Sequence, residues 1–270
     1  MRRPKILGIL NITEDSFSDG GRYLAGDAAL AHGRHLIQSG ADVIDIGPSA
    51  SNPDAKQVPP QEEIRRLQSV MPTLLSEGAQ ISVDSFQSET LVWGLGAGAH
   101  YLNDIHGFAD PAIYDELAAS SAKLIAMHAV QKEGIATRVK GDVERIWERI
   151  LDFFSARITA LEAAGIARSR LILDPGMGLF LGAGREVSLK VLREIGRLKE
   201  AFGLPILVSV SRKSFLRVAL GRTAAEAGSA TIAAELFAAG EGVDYIRTHD
   251  VRALNDALTV TKMLVSEGQD

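Results

Sequence analysis

The chain has 270 residues, 46% of them hydrophobic and 23% charged, which is enough for one large core. A formal charge of −5 excludes a global basic field for nucleic acid, so an anionic ligand has to be met by local Lys, Arg, His or a metal. The absence of cysteine excludes disulfides, thiolate metal sites and a cysteine nucleophile, and fits a reducing cytoplasm. The apolar run after the opening M-R-R-P-K is too short for a signal peptide, and no run approaches a membrane span. A soluble cytoplasmic protein with neither a membrane nor a nucleic-acid partner is expected.

The predicted elements alternate along the chain. A strand over 6–10 leads into a polar loop, and a helix over 27–39 closes at Gly40, a C-cap residue. A strand over 42–46 is followed by a helical pattern over 61–77, which Pro72 should kink or break. Strand 80–83, helix 88–96, a short strand 100–102, helix 112–119 and strand 123–127 come next. Residues 142–164 form a long helix, in which Val143, Ile146, Ile150, Phe153 and Phe154 keep a helical period. Strand 171–173, helix 186–201, strand 206–210, an alanine-rich helix 224–239, a strand at Tyr245 and Ile246, and helix 251–265 complete the chain. Eight strand–helix units without a dividing linker predict a single-domain (β/α)8 TIM barrel over 1–270. An open doubly wound sheet would need a glycine fingerprint after the first strand. The only similar string, Gly94 to Gly98, ends a helix and precedes a strand.

Barrel active sites lie at the C-terminal ends of the strands. Those ends read Asn11, Asp45, Asp84, Asn103 with Asp104, His128, Asp174, Ser211 with Lys213, and Arg247 with His249. Asp84, Asn103 and Asp174 supply acceptors. A carboxylate pairs bidentately with a heterocycle that presents a ring N–H beside an exocyclic amine. Lys213 suits the carbonyl or ring-nitrogen edge of such a heterocycle. Arg247 and His249 follow strand eight, where barrels commonly hold phosphate. Asn11 suits phosphate, or a Mg²⁺ that bridges phosphates.

The stretch G-I-L-N-I-T-E-D-S-F-S-D-G-G, Gly8 to Gly21, closely resembles the opening motif of the dihydropteroate synthases. I-S-V-D-S from Ile81, L-N-D-I from Leu102, L-D-P-G-M-G from Leu173, V-S-R-K-S-F from Val210 and R-T-H from Arg247 follow in the family's order, so the resemblance covers nearly the whole chain. It implies a (β/α)8 barrel that joins p-aminobenzoate to 6-hydroxymethyl-7,8-dihydropterin diphosphate with Mg²⁺ assisting, by an SN1-like substitution. It also implies a homodimer, which is the family's habit. By position, Asp84, Asn103, Asp174 and Lys213 resemble the pterin pocket, with Ser211 and Ser214 flanking Lys213 and Met127 packed near the pterin. Arg247 and His249 resemble the diphosphate ligands, and Asn11 the metal ligand. Phe17, Asp19, Ser51 and Pro53 fall in the two loops that close over p-aminobenzoate. The residues that act on the reacting groups are then Lys213, Arg247, Asp19 and Phe17.

Two stretches depart from the family pattern. The second loop usually reads D-I-G-G-E-S-T-R-P-G-A and here reads D-I-G-P-S-A-S-N-P-D-A, Asp45 to Ala55, so Asn52 stands where an arginine is expected and Ser51 where a threonine is. After D-P-G-M-G the family usually continues G-F-G-K, whereas this chain has G-L-F-L-G-A-G-R-E, Gly178 to Glu186, about two residues longer. Both departures resemble the divergent branch that includes the sulfonamide-resistant enzymes. Phe180 is expected to wall the p-aminobenzoate pocket there, with Leu179 where the resistant relatives usually carry another Phe. A methyltetrahydrofolate-type methyltransferase shares barrel and pterin pocket but needs no diphosphate ligands. A non-catalytic pterin-binding protein is the reading that the missing arginine suggests.

Overall fold

The computed structural model describes residues 2–13, 21–50, 58–131 and 134–266. Its eight strands are β1 (Lys5–Asn11), β2 (Val43–Gly47), β3 (Ile81–Asp84), β4 (Tyr101–Asp104), β5 (Lys123–Met127), β6 (Leu171–Asp174), β7 (Leu207–Val208) and β8 (Tyr245–Thr248). They pair in parallel in the order β6-β5-β4-β3-β2-β1-β8-β7. The ends of that order meet where the Leu173 N–H donates to the Pro205 carbonyl at 2.9 Å and Leu173 bridges Ile206, which makes the sheet a barrel. The described helices are α1 (Gly21–Gln38), α2 (Pro60–Gln68), α3 (Met71–Ser76), α4 (Ser88–Gly96), α5 (Tyr114–Ala119), α6 (Ile146–Ala163), α7 (Arg185–Arg193), α8 (Gly196–Phe202), α9 (Ser214–Leu220), α10 (Gly228–Gly240) and α11 (Val251–Ser266).

Strand alternation builds both the core and the site. Outward residues such as Ile6, Ile44, Leu102, Leu124, Val208 and Ile246 pack under the helices. Inward residues Leu7, Val43, Tyr101, Ile125, Ile172, Leu207 and Tyr245 meet in one layer that fills the barrel. Side chains two residues further along a strand point to the same face. One step above that layer therefore stand Asp45, Asn103, Met127, Asp174, Ser209 and Arg247. The apolar plug below them is what lets this many polar groups share one end of the barrel. Its Tyr101 and Tyr245 rings meet edge-on at 6.3 Å.

The expected helix 61–77 divides into α2 and α3. Pro72 sits in the first turn of α3, where its missing N–H costs no helical bond. The expected helix 186–201 likewise divides into α7 and α8. Helix α9 was not expected. It is only seven residues long, too short for a hydrophobic period, and it ends on Gly221 at φ 62°.

Candidate active site

Four side chains on four strands make the floor of the site. Arg247 of β8 donates through Nε to Asp45 of β2 and through Nη2 to Asp84 of β3, the latter at 2.6 Å. Asn103 of β4 donates to the same Asp45 oxygen at 3.4 Å. Asp45 is fully buried, and its second oxygen has no partner among the described residues. Burial works against the Arg247 charge, but Asp45 and Asp84 outweigh it and hold the guanidinium protonated. Burial pushes the Asp84 carboxyl up to about 7, against the pull of Arg247 and Lys213.

Asp174 and Lys213 form the opposite wall. Asp174 accepts the Gly176 N–H at 2.8 Å, and burial raises it to about 6. Gly176 is needed for that turn. It sits at φ 72°, and a Cβ there would meet the His128 carbonyl oxygen at 2.3 Å. His128 donates from Nδ1 to the Pro175 carbonyl, and burial lowers it to about 4, so it braces the D-P-G-M-G turn and is absent from the residues that line the pocket. Lys213 lies with Nζ 4.9 Å from the Phe180 ring centre. Burial, then Arg247, lowers its pKa to about 8. Asp84, Asn103, Asp174, Phe180, Lys213 and Arg247 line one pocket, which Met127 and the unanticipated Ile105, Met177 and Ser209 complete.

Ser211 and His249 stand beside it. The Ser211 Oγ lies 2.9 Å from His249 Nδ1 and accepts the His249 backbone N–H at 3.2 Å. Burial and the neighbouring Arg247 drive His249 down to about 3, so its ring is neutral. Between Ser211 and Lys213, Arg212 takes the left-handed φ of 57°, rare for a non-glycine residue, and Thr231 of α10 holds its N–H at 3.1 Å. Ser214 opens α9 and lines a separate hollow of about 420 Å³ with Gly178, Leu179, Arg185 and Phe215. Asn11 ends β1, exposed, and packs beside Gly47, where a Cβ would come 3.1 Å from its amide oxygen. Phe17, Asp19, Ser51, Asn52 and Pro53 lie outside the described residues.

Residues 7–249 match the family described as pterin binding enzyme. The chain belongs to the pterin-binding enzyme family. It is 54% identical over 259 residues to dihydropteroate synthase type-2 of Escherichia coli, covering 96% of this chain and 95% of that one. Identity to dihydropteroate synthase type-3 of Escherichia coli is 48% over 260 residues, with 96% and 99% covered. The structure of Xanthomonas albilineans dihydropteroate synthase with 4-aminobenzoic acid superposes with a TM-score of 0.88 at 35% identity, covering 97% of this chain and 93% of that one.

Two features of this pterin-binding enzyme were beyond the motifs. Glu63 of α2 is fully buried and accepts from Ser85 at 2.6 Å and from Ser49, so it ties the start of the second loop to the I-S-V-D-S strand end. The acidic first turn of α2 was its only sequence signal, and it reads like any solvated helix start. The second feature is how the long segment after β6 is held. Val130 donates to the Phe180 carbonyl at 2.9 Å, Ala183 donates to Val139 at 2.6 Å, and Gly141 donates to Ala183 at 3.1 Å. The chain after β5 thus stitches the segment down. Gly182, at φ 101°, lies so close to Gly141 that a Cβ would meet its Cα at 2.5 Å.

Proposed function

We infer that this chain is a dihydropteroate synthase, which condenses 6-hydroxymethyl-7,8-dihydropterin diphosphate with p-aminobenzoate to give 7,8-dihydropteroate and pyrophosphate. The observation that supports this most is the single pocket shared by Asp84, Asn103, Asp174, Lys213 and Arg247, with Ser211 and His249 at its edge. The two carboxylates and the Asn103 amide suit the amino and ring N–H groups of a pterin. Lys213 suits its carbonyl edge. Asp84 is ion-paired to Arg247, whereas Asp174 accepts only a backbone N–H among the described residues, so Asp174 is the residue assigned to the guanidinium-like edge of the pterin.

The reaction needs no strong base. The methylene C–O bond breaks with its electron pair leaving on the diphosphate, and the electron-rich dihydropterin holds the cation. The aniline nitrogen then attacks, and the departing diphosphate takes the proton it sheds. Charge on the leaving group supplies most of the catalysis. The Nε2–H of neutral His249 serves that charge, and Arg247 from the floor and Lys213 from the pterin's carbonyl edge add their fields. Phe17 and Asp19 belong to the loop that shields the cation from water. The p-aminobenzoate ring is assigned to the hollow beside Ser214, with Phe180 and Lys213 between it and the pterin.

A magnesium ion fits the residues present. Asn11 offers a hard amide oxygen that Gly47 leaves uncovered, and Mg²⁺ commonly takes one or two protein oxygens and completes its shell with substrate phosphates and water. Bound there, it would neutralise charge on the leaving diphosphate. A cytoplasmic homodimer and reduced sensitivity to sulfonamides belong to the same proposal. The second rests on the bulk of Leu179, which lines the hollow beside Ser214, and of Phe180, which lines the pterin pocket; Leu181 is packed into the core. No observation among the described residues favours the methyltransferase or the non-catalytic binder; Asn52, the one motive for the latter, lies outside them.

Calorimetry with the pterin diphosphate, followed by a pyrophosphate-release assay, tests the reading. Tight binding and release that requires p-aminobenzoate are expected. Binding without release would leave a pterin-binding protein.

A further inference from the structure

Helix α10 carries a carboxyl that the mechanism above does not use. Glu235 is fully buried, and neither of its oxygens has a hydrogen-bond partner of good geometry among the described residues. The Thr248 hydroxyl and the Asp250 carboxylate are the groups that act on its ionisation, and burial raises it to about 8, so it holds its proton at neutral pH. Thr231 lies four residues earlier, hence on the same face of the helix, and holds the Arg212 turn. One helical face therefore backs both the segment after β7 and the segment after β8.

The hydroxyls in front of Glu235 are arranged in series. Thr248, itself fully buried, donates through Oγ1 to Ser211 Oγ at 3.5 Å and accepts the Asp250 N–H at 3.3 Å. Ser211 Oγ also accepts the His249 N–H, so its lone pairs are used and its one proton goes to His249 Nδ1. That leaves the imidazole proton on Nε2. Hydroxyl chains can run either way, and the end group sets the direction. A protonated Glu235 turned to the Thr248 hydroxyl would donate to it, which would free the Thr248 proton for Ser211. An ionised Glu235 would draw the Thr248 proton to itself. Ser211 would then turn toward Thr248, and Nδ1 would have to carry the imidazole proton.

We propose that Glu235 is a positioning residue: its carboxyl proton, acting through Thr248 and Ser211, fixes His249 as the tautomer that presents an Nε2–H, rather than a lone pair, to an anionic ligand. The proposal deepens the synthase reading at the leaving-group site and rests on it for the identity of the anion. The charged groups around the chain are Asp250 against Glu235, and Arg247, Arg212, Lys213 and His32 around His249. Lys213 titrates in the same range, so activity against pH is not sufficient by itself.

The test is ¹⁵N NMR of histidine-labelled protein, with His249 assigned from the spectrum of His249→Asn, beside calorimetry with inorganic pyrophosphate as probe. Wild type is expected to show His249 as the Nε2–H tautomer at pH 7 and to move toward Nδ1–H as the pH rises through about 8. Glu235→Gln keeps a donor for Thr248 without a titrating proton, so it should stay Nε2–H throughout. It should also bind pyrophosphate at pH 7 like wild type. Glu235→Ala and the near-isosteric Thr248→Val should show mixed tautomers at pH 7 and about tenfold weaker pyrophosphate binding, the effect of one hydrogen bond to a charged group. A pure Nε2–H tautomer in Thr248→Val or Glu235→Ala, or a wild-type tautomer unchanged to about pH 9.5, well past the range in which Glu235 ionises, overturns the proposal. A protein that fails to form dihydropteroate while its tautomer behaves as stated overturns the synthase reading and supports this one.

Discussion

Replacing Asp174 by asparagine separates binding from folding. The carboxyl is 3% exposed, and burial raises its pKa from the ordinary carboxylate range to about 6. A raised acid pKa means that the folded state binds the proton more tightly than the unfolded state. The associated stability is complete below the unfolded value and is lost as the pH rises through about 6. At pH 8 the folded wild type therefore bears the full cost of an ionised buried carboxylate, about 3 kcal/mol at 1.36 kcal/mol per tenfold change in proton affinity. The amide introduced by Asp174→Asn keeps an oxygen for the Gly176 N–H and removes that charge. The unliganded variant should be more stable than wild type at pH 8, by roughly 2–4 °C in Tm for each kcal/mol regained. The advantage should shrink as the pH falls from 6 toward 4. Pterin binding should move the other way. A hydrogen bond between a charged group and a ligand contributes about 1.5–3 kcal/mol, so affinity should fall by roughly 10- to 150-fold. Thermal melts across pH and calorimetry with the pterin diphosphate measure the two effects. A variant that binds as tightly as wild type refutes the pocket assignment. One that gains no stability at pH 8 refutes the burial argument.

Lys213→Ala should weaken binding of the pterin with or without its diphosphate. Arg247→Ala should weaken both ligands too but should also lower Tm, because it leaves Asp45 and Asp84 facing each other without their shared cation, so thermal melts beside the titrations separate the two cases. The profile of kcat/KM against pH should be bell-shaped. Its acid limb should lie at about 6 to 7, where Asp174 and Asp84 protonate, and its alkaline limb near 8, where Lys213 loses its charge; a flat profile from pH 5 to 9 would contradict these assignments. Deleting two residues between Leu179 and Gly182 should lower the ratio of the sulfamethoxazole inhibition constant to the p-aminobenzoate Michaelis constant. Gly182→Ala, which drives a Cβ against Gly141, should change the same ratio, and an active deletion variant with an unchanged ratio would remove Phe180 as the discriminator.

The barrel and most of its polar rim were legible because strands alternate. Once Val43, Tyr101, Ile125, Ile172, Leu207 and Tyr245 are recognised as inward-facing, Asp45, Asn103, Met127, Asp174, Ser209 and Arg247 follow two residues further along their strands. What escaped was support from helices. Glu63 and Glu235 are charged residues in helical patterns, and such residues are normally solvated, so nothing local marks them as buried. Thr231 looks like an ordinary helix residue until the left-handed Arg212 turn is seen above it. The reading of Arg247 as a ligand for diphosphate needs an addition, because its guanidinium is turned to Asp45 and Asp84 and also organises the pterin floor. Helix α9 was missed because seven residues cannot display a period.

The most direct test of the central claim is a single-turnover experiment that follows pyrophosphate and 7,8-dihydropteroate together, starting from the pterin diphosphate with and without p-aminobenzoate. A synthase gives the two products in equal amounts and releases little pyrophosphate when p-aminobenzoate is withheld. Pterin diphosphate that binds and stays intact in the presence of p-aminobenzoate would contradict the account.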